Sequence, residues 1–282
     1  MRGIIVKAIS GFYYVRSEEQ VYECKARGVF KNKGITPLVG DFVEFEPGWV
    51  TNILPRKNRF ERPPVANVDT LVIVMAAADP LPSFEILDKF IVTAESLKTD
   101  IVLCINKCDI ASCETLEKFK AIYTGIYPLY FVSAITGEGI AELREAMHGK
   151  QFALAGPSGV GKSSLTNIFL ERDETEVGEI SQKSLRGKNT TRHTELFESN
   201  GYQVFDTPGF TSFDASLEDE LELENLFPEF RAYLGSCRFD DCHHLEEPDC
   251  AIRNALLEGK ISESRYNSYK NLFEIIKENR RY

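Results

Sequence analysis

The chain predicts a multi-domain fold. An N-terminal all-β barrel of the OB type covers residues 1–62, a central α/β P-loop domain 65–215, and a mainly helical zinc-binding domain 216–282. Three observations predict it. Five short strand-like runs separated by turn signals fill the first segment. Strand and helix patterns alternate through the second around a G-x-x-x-x-G-K-S motif. Three cysteines and a histidine lie within 14 positions of the third.

The barrel strands are read at 4–6, 12–15, 21–24, 42–45 and 49–53. Ser10-Gly11, Gly34, Gly40-Asp41 and Pro47-Gly48 supply the turns between them. Five strands in so short a span suit a small Greek-key barrel. Arg27, Lys31 and Lys33 cluster before the fourth strand, and Arg56, Lys57, Arg59 and Arg62 after the fifth. Such loops either face a nucleic acid or are simply solvated. The chain carries a net charge of −10, which disfavours a polyanion partner for most of its surface. Residues 1–64 are the exception, with 11 lysines and arginines against 7 acids, so an RNA contact is expected to begin there.

Arg62-Pro63-Pro64 reads as a stiff linker. Beyond it, strands are expected at 71–78, 101–105, 130–132, 151–155 and 203–206, with helices at 84–97, 115–123, 140–147 and 164–170. Phe84, Leu87, Ile91 and Ala94 are spaced three or four apart and form the buried stripe of the first helix. Alternation of this kind implies parallel strands with crossover helices.

The motif Gly156-Pro157-Ser158-Gly159-Val160-Gly161-Lys162-Ser163 follows an apolar strand and opens a helix beginning at Ser164. Its glycines let backbone N–H groups turn inward around a phosphate, and the helix N-terminus adds a favourable partial charge. Lys162 is expected at the β- and γ-phosphates and the Ser163 hydroxyl on Mg²⁺. Asn106-Lys107-Cys108-Asp109 follows another strand and reads N-K-x-D. A carboxylate at Asp109 accepts from the N1–H and 2-amino group of guanine, donors that adenine lacks. Lys107 lays its stem over the base, and Asn106 ties the base loop to the phosphate loop. Ser133-Ala134 supplies a second base loop, with the Ala134 N–H toward guanine O6. Asp206-Thr207-Pro208-Gly209 reads D-x-x-G, with Asp206 on Mg²⁺ through water and the Gly209 N–H on the γ-phosphate. Between these motifs, Thr191, in preference to Thr190, is the candidate switch threonine that completes the Mg²⁺ shell.

The order of the motifs is unusual. Ordinary small GTPases run phosphate loop, switch threonine, D-x-x-G, N-K-x-D, S-A; here N-K-x-D and S-A come first. The full length of the chain resembles the bacterial ribosome small-subunit-dependent GTPase A family, which is circularly permuted. That resemblance implies hydrolysis of GTP to GDP and phosphate, stimulated by the small (30S) ribosomal subunit and its rRNA, in late maturation of that subunit. A nucleotide-sensing RNA-binding protein whose turnover is incidental is the alternative. The family commonly has a histidine just before the paired threonines; this chain has Asn189 there, and His193 two residues past the pair. Phe210 stands where many GTPases place a water-orienting glutamine, so slow intrinsic hydrolysis is expected.

Cys237, Cys242, His244 and Cys250 are spaced to close on one tetrahedral, structural Zn²⁺, and the resembled family carries the same spacing. His243 is the competing imidazole. Leu221, Leu223, Leu226 and Phe227 suggest a helix before this segment, ending near Pro228. Residues 262–276 suggest a terminal helix with Ser262 as N-cap and Tyr266, Tyr269, Phe273 and Ile276 on one face. The longest strong apolar run, 71–78, falls far short of the roughly 20 residues of a membrane span, and Lys7 and Ser10 interrupt any signal-peptide core. The cytoplasm is therefore the expected location; a monomer is the expected state.

Overall fold

The computed structural model describes residues 1–282 except 29, 31–33, 173–193, 207–209, 211–219 and 280–282, and the side chains of 220, 221 and 279. Strands β1 (Arg2–Ile9), β2 (Phe12–Ser17), β3 (Gln20–Ala26), β4 (Phe42–Glu46) and β5 (Trp49–Ile53) follow the expected runs; the first four are longer than expected and β5 coincides with its run. They pair in the order β1-β2-β3-β5-β4, and β4 returns to β1, which closes the barrel. Ile5, Val15, Cys24, Val43, Phe45 and Val50 point inward and are buried, as the two-residue period of a strand requires.

One member of the second basic cluster, Arg56, is used inside the fold. Arg56 donates from Nε and Nη2 to the two carboxylate oxygens of Asp41, at 2.7 and 2.8 Å. Asp41 is fully buried, so this pairing is structural. Lys57 faces Asp69 at 3.4 Å. In the first cluster Arg27 faces Glu46 at 2.7 Å, while Lys31 and Lys33 lie outside the described residues.

The proline segment, read as a stiff linker, is the turn of a packed hairpin. It joins β6 (Arg59–Phe60) to β7 (Val65–Ala66) in a two-stranded hairpin. Phe60 and Val65 are buried in the same core as the barrel interior.

The α/β part contains β8 (Thr70–Ala76), α1 (Phe84–Ser96), β9 (Asp100–Asn106), α2 (Cys113–Tyr123), β10 (Leu129–Phe131), α3 (Ile140–Met147), β11 (Gln151–Ala155), α4 (Lys162–Leu170), β12 (Glu195–Ser199) and β13 (Tyr202–Asp206). Strands β10, β9, β8, β11 and β13 lie side by side and parallel. Residues of β8 are buried on both faces, as a central parallel strand demands. Strand β12 is not anticipated by the sequence pattern, because its five residues, ELFES, are short and mostly polar. It runs antiparallel to β13 and also meets β1, with Lys7 opposite Glu195. Through that contact the barrel and the α/β sheet form one eleven-stranded sheet. Lys7–Glu195 (2.7 Å) and Arg16–Glu198 (2.6 Å) ion pairs bracket the junction.

In the last part, the helix expected before the zinc segment is two 3-10 turns, Glu220–Leu226 and Pro228–Phe230. Pro228 has no N–H to bond Glu224, so an α-helix cannot propagate through it. Helices α5 (Ala251–Leu257) and α6 (Glu263–Asn279) follow. The α6 stripe is buried as expected, and its hydroxyls are used: Tyr266 donates to the His244 carbonyl at 2.7 Å and Tyr269 to the His243 carbonyl at 2.9 Å.

This module docks on α1. Val92 of α1 belongs to the same apolar cluster as Phe227, Phe230 and Tyr269. Beside it Arg265 is fully buried. Its Nη1 donates to Asp88 of α1 at 2.6 Å and its Nε to Glu229 at 2.6 Å. Burial opposes the charge, but Asp88 and Glu229 outweigh it and hold the guanidinium protonated well above its ordinary range. Arg265→Met leaves two carboxylates in an apolar interface without their cation. A loss of about 3–5 kcal/mol in urea unfolding is expected, the range for breaking a buried pair from one side.

Candidate nucleotide and metal sites

Strand β11 is buried throughout and delivers the chain to Gly156. Two glycines of the loop are required by space. A Cβ at Gly156 would stand 2.1 Å from the Val74 carbonyl oxygen, and one at Gly161 would stand 2.2 Å from Asn106 Nδ2. Both also hold positive φ, 140° and 95°. Val160 is buried and anchors the loop, while Ser158 and Gly159 are exposed and Pro157 is half-buried. Ser163 and Ser164 lie exposed in the first turn of α4, directly behind Gly161.

The Lys162 ammonium folds back into the loop and donates to the carbonyls of Gly156 (2.7 Å) and Pro157 (2.6 Å). Burial lowers its pKa to about 8. Among the described residues the side chain is therefore a desolvated cation held by neutral acceptors.

Asn106 ends β9 and is buried. Its Nδ2 donates to the Val160 carbonyl at 2.9 Å, and its Oδ1 accepts from the Ala134 N–H at 3.0 Å. One amide thus joins the phosphate loop, the N-K-x-D loop and the S-A loop. The bond to Ala134 uses the N–H that the sequence assigns to guanine O6. Ser133 is buried; its N–H donates to Glu138 and its Oγ accepts from the Thr136 N–H. Lys107 holds positive φ, 64°, and opens a 3-10 turn that leaves Asp109 exposed at the same sheet edge.

Asp206 ends β13 next to the phosphate-loop strand. Its Oδ2 accepts from Arg172 Nη1 at 3.3 Å. Arg172 stacks on the Phe197 ring, 4.2 Å from its centroid. Thr190, Thr191, Asn189, His193 and Gly209 lie outside the described residues. Phe210 is fully buried, edge-on to Phe60 with centroids 5.5 Å apart. Its carbonyl accepts from the Gly156 N–H at 2.9 Å. The chain leaving D-x-x-G is thereby tied both to the first residue of the phosphate loop and to the hairpin under the barrel.

The four predicted metal ligands converge. Their donor atoms all lie within 4.8 Å of one another. His244 Nδ1 is 3.5 Å from Cys237 Sγ and 3.4 Å from Cys250 Sγ, and the two sulfurs are 3.9 Å apart. A tetrahedron with Zn–S bonds of about 2.3 Å has edges of about 3.8 Å, so the donor set fits a closed four-ligand site. Burial pushes the Cys242 thiol up to about 12, and a divalent cation is what makes such a group a thiolate. The sequence does not point to Glu224, whose Oε2 lies 2.8 Å from His244 Nε2. A carboxylate on the distal nitrogen orients a ligating imidazole. His243 is not among the converging donors.

A parallel sheet whose strand ends carry a phosphate loop, N-K-x-D and S-A, threaded in rearranged order beside an OB barrel, defines a circularly permuted P-loop GTPase. The chain belongs to the RsgA GTPase family: residues 53–216 match the RsgA GTPase model and residues 2–51 the RsgA N-terminal domain. It is similar to the small ribosomal subunit biogenesis GTPase RsgA of Alkaliphilus metalliredigens, 42% identical over 100% of this chain and 99% of that one. The protein of the same name from Caldanaerobacter subterraneus is 45% identical, with 100% and 98% covered. Among solved structures, YjeQ from Thermotoga maritima has a TM-score of 0.84 at 36% identity, with 98% of each chain covered. YloQ, a circularly permuted GTPase, has a TM-score of 0.81 at 35% identity, covering 99% of this chain and 95% of that one.

The Lys162 environment gives a pH signature. Phosphate contact favours the ammonium and raises its pKa above about 8. Nucleotide affinity is then full below pH 8 and falls by roughly tenfold per unit above it, until the pKa of the complex is reached. Titrations of a fluorescent GDP between pH 7 and 9.5 check this. Calorimetry in two buffers at pH 8 checks the accompanying proton uptake.

Proposed function

We propose that this chain hydrolyses GTP in the biogenesis of the small (30S) ribosomal subunit and turns over fastest when bound to that subunit and its rRNA. The observation that carries the reading is the Asn106 amide, which gathers the base-reading and phosphate-binding loops into one site. The names of the relatives supply the biological setting.

In this reading Asp109 selects guanine, Lys107 covers the base, and Ser133 and Ala134 line its far edge. The backbone of Gly156, Pro157, Ser158, Gly159, Val160 and Gly161 wraps the phosphates, with Ser164 behind them at the helix N-terminus. Lys162 leaves its two carbonyl acceptors for the β- and γ-phosphates. Ser163, Thr191 and Asp206 would hold Mg²⁺, which would supply neutralisation of phosphate charge when bound. The Gly209 N–H meets the γ-phosphate, so loss of that group releases the D-x-x-G loop. Water attacks the γ-phosphorus in line, and the developing charge is met by Lys162 and backbone amides. The apolar, buried Phe210 offers the water nothing, which leaves acceleration to the partner. Functional units are taken as 1–62, 65–215 and 216–282, acting as a cytoplasmic monomer, with Zn²⁺ on Cys237, Cys242, His244 and Cys250.

GTP turnover titrated with purified small subunits tests the proposal. Stimulation of about tenfold or more is expected, since a partner that completes a GTPase site is worth orders of magnitude. It should fade with added salt as phosphate contacts weaken. A flat rate, with subunit binding still dependent on the nucleotide, favours a sensor whose turnover is incidental. For the metal, Glu224→Gln should lower zinc affinity by about 10- to 100-fold in a competitive chelator titration. Chelation should melt residues 220–279, read by amide exchange, because four closed ligands act on folding and not on chemistry.

A further inference from the structure

The loop between β8 and α1 sits on both halves of the nucleotide site, and no motif of the sequence accounts for it. The β8–β9 ladder ends with the Ala77 N–H donating to the Asn106 carbonyl at 2.8 Å. Two residues later Asp79 turns into positive φ, 42°. Asp79 and Pro80 are exposed, and Leu81 is 86% exposed, so core packing does not impose this conformation. Two contacts do. The Asp79 carbonyl accepts a hydrogen bond from the Lys107 ammonium. Pro80 Cδ stands 3.6 Å from the point where a Gly159 Cβ would be, at the tip of the phosphate loop. Aspartate tolerates the left-handed region better than most residues, and an exposed position held there with a partner at the nucleotide site motivates a functional hypothesis.

We propose that Asp79-Pro80 is a positioning element of the nucleotide site. The left-handed turn at Asp79 aims its carbonyl at Lys107 and so holds the lysine stem in place for the base, while Pro80 lies close enough to the phosphate-loop tip that a Cβ at Gly159 would touch it. The inference rests on Lys107 being the residue that lies along the base. A lysine side chain has many rotamers to lose on binding, and one already tethered loses fewer. The element acts through Lys107 on the base, which GDP and GTP share. Its loss therefore weakens both nucleotides alike and leaves the chemical step alone.

The test uses the full chain, with mant-GDP and mant-GTP titrations, steady-state turnover and thermal melts. Asp79→Val puts a β-branched residue where φ is positive and turns the carbonyl away. It is expected to raise Kd for GDP and GTP alike, by about three- to tenfold, and KM in step, with kcat within about twofold of wild type. Asp79→Gly and Asp79→Asn tolerate the left-handed region and should bind within about twofold of wild type. In a Lys107→Met background Asp79→Val should add nothing further. Wild-type affinity in Asp79→Val, or full additivity with Lys107→Met, overturns the inference. Wild-type affinity in Lys107→Met alone is a different result; it overturns the base-contact reading and the inference with it. If Asp79→Val melts early, Asp79→Ala against Asp79→Gly replaces it: weaker binding by the alanine variant supports the element, and equal binding overturns it.

Discussion

One buried carboxamide holds the nucleotide site together. Asn106 spends its donor on Val160 and its acceptor on Ala134, and each bond crosses between loops far apart in the chain. The price is steric: the Asn106 amide occupies the space that any Cβ at position 161 would need. The glycine of the phosphate loop is thus a consequence of the asparagine of the base loop as much as of the phosphate. A buried amide left half-satisfied is costly, so the three loops are set as a unit.

Permutation changes what is attached to that unit. Because the chain enters the sheet at β8 and leaves it after β13, both flanking modules touch elements that carry nucleotide contacts. The barrel shares the sheet through β1 and β12. The hairpin beneath it meets Phe210, whose carbonyl is bonded to the first glycine of the phosphate loop. On the other side, Arg265 clamps the C-terminal module to α1 between Asp88 and Glu229. That helix starts a few residues after the Asp79 turn. Neither flanking module is joined to the central sheet by a linker alone.

The metal-ligand cluster organises the C-terminal module in the same way that Asn106 organises the nucleotide loops. Little regular structure surrounds it: two 3-10 turns and one short helix. Four ligands from one short segment supplement the small apolar core that Phe227, Phe230, Ile252 and the α6 stripe build. The α6 tyrosines then bond the carbonyls of His243 and His244, which fixes the ligand loop from the opposite face.

Much was legible in the sequence, for a definable reason. The barrel strands, the alternating central elements, the phosphate loop, N-K-x-D, D-x-x-G and the four clustered ligands are local patterns. Their periods and spacings reflect backbone geometry and ligand reach within a few residues. What the sequence did not reveal depends on meetings between distant segments. Strand β12 has too weak a pattern to be read alone and exists through its neighbours β13 and β1. Arg56 reads as a free loop charge until Asp41 is seen buried beneath it. Arg265 reads as a polar helix position until α1 closes over it, and Glu224 as a surface acid until His244 arrives. The sequence by itself determined which chemistry the chain carries, because that chemistry needs particular residues at short spacing. Only the tertiary structure decided which charges are spent inside the fold and which backbone carbonyl steadies Lys107, because those choices depend on burial and long-range approach, which no local pattern encodes.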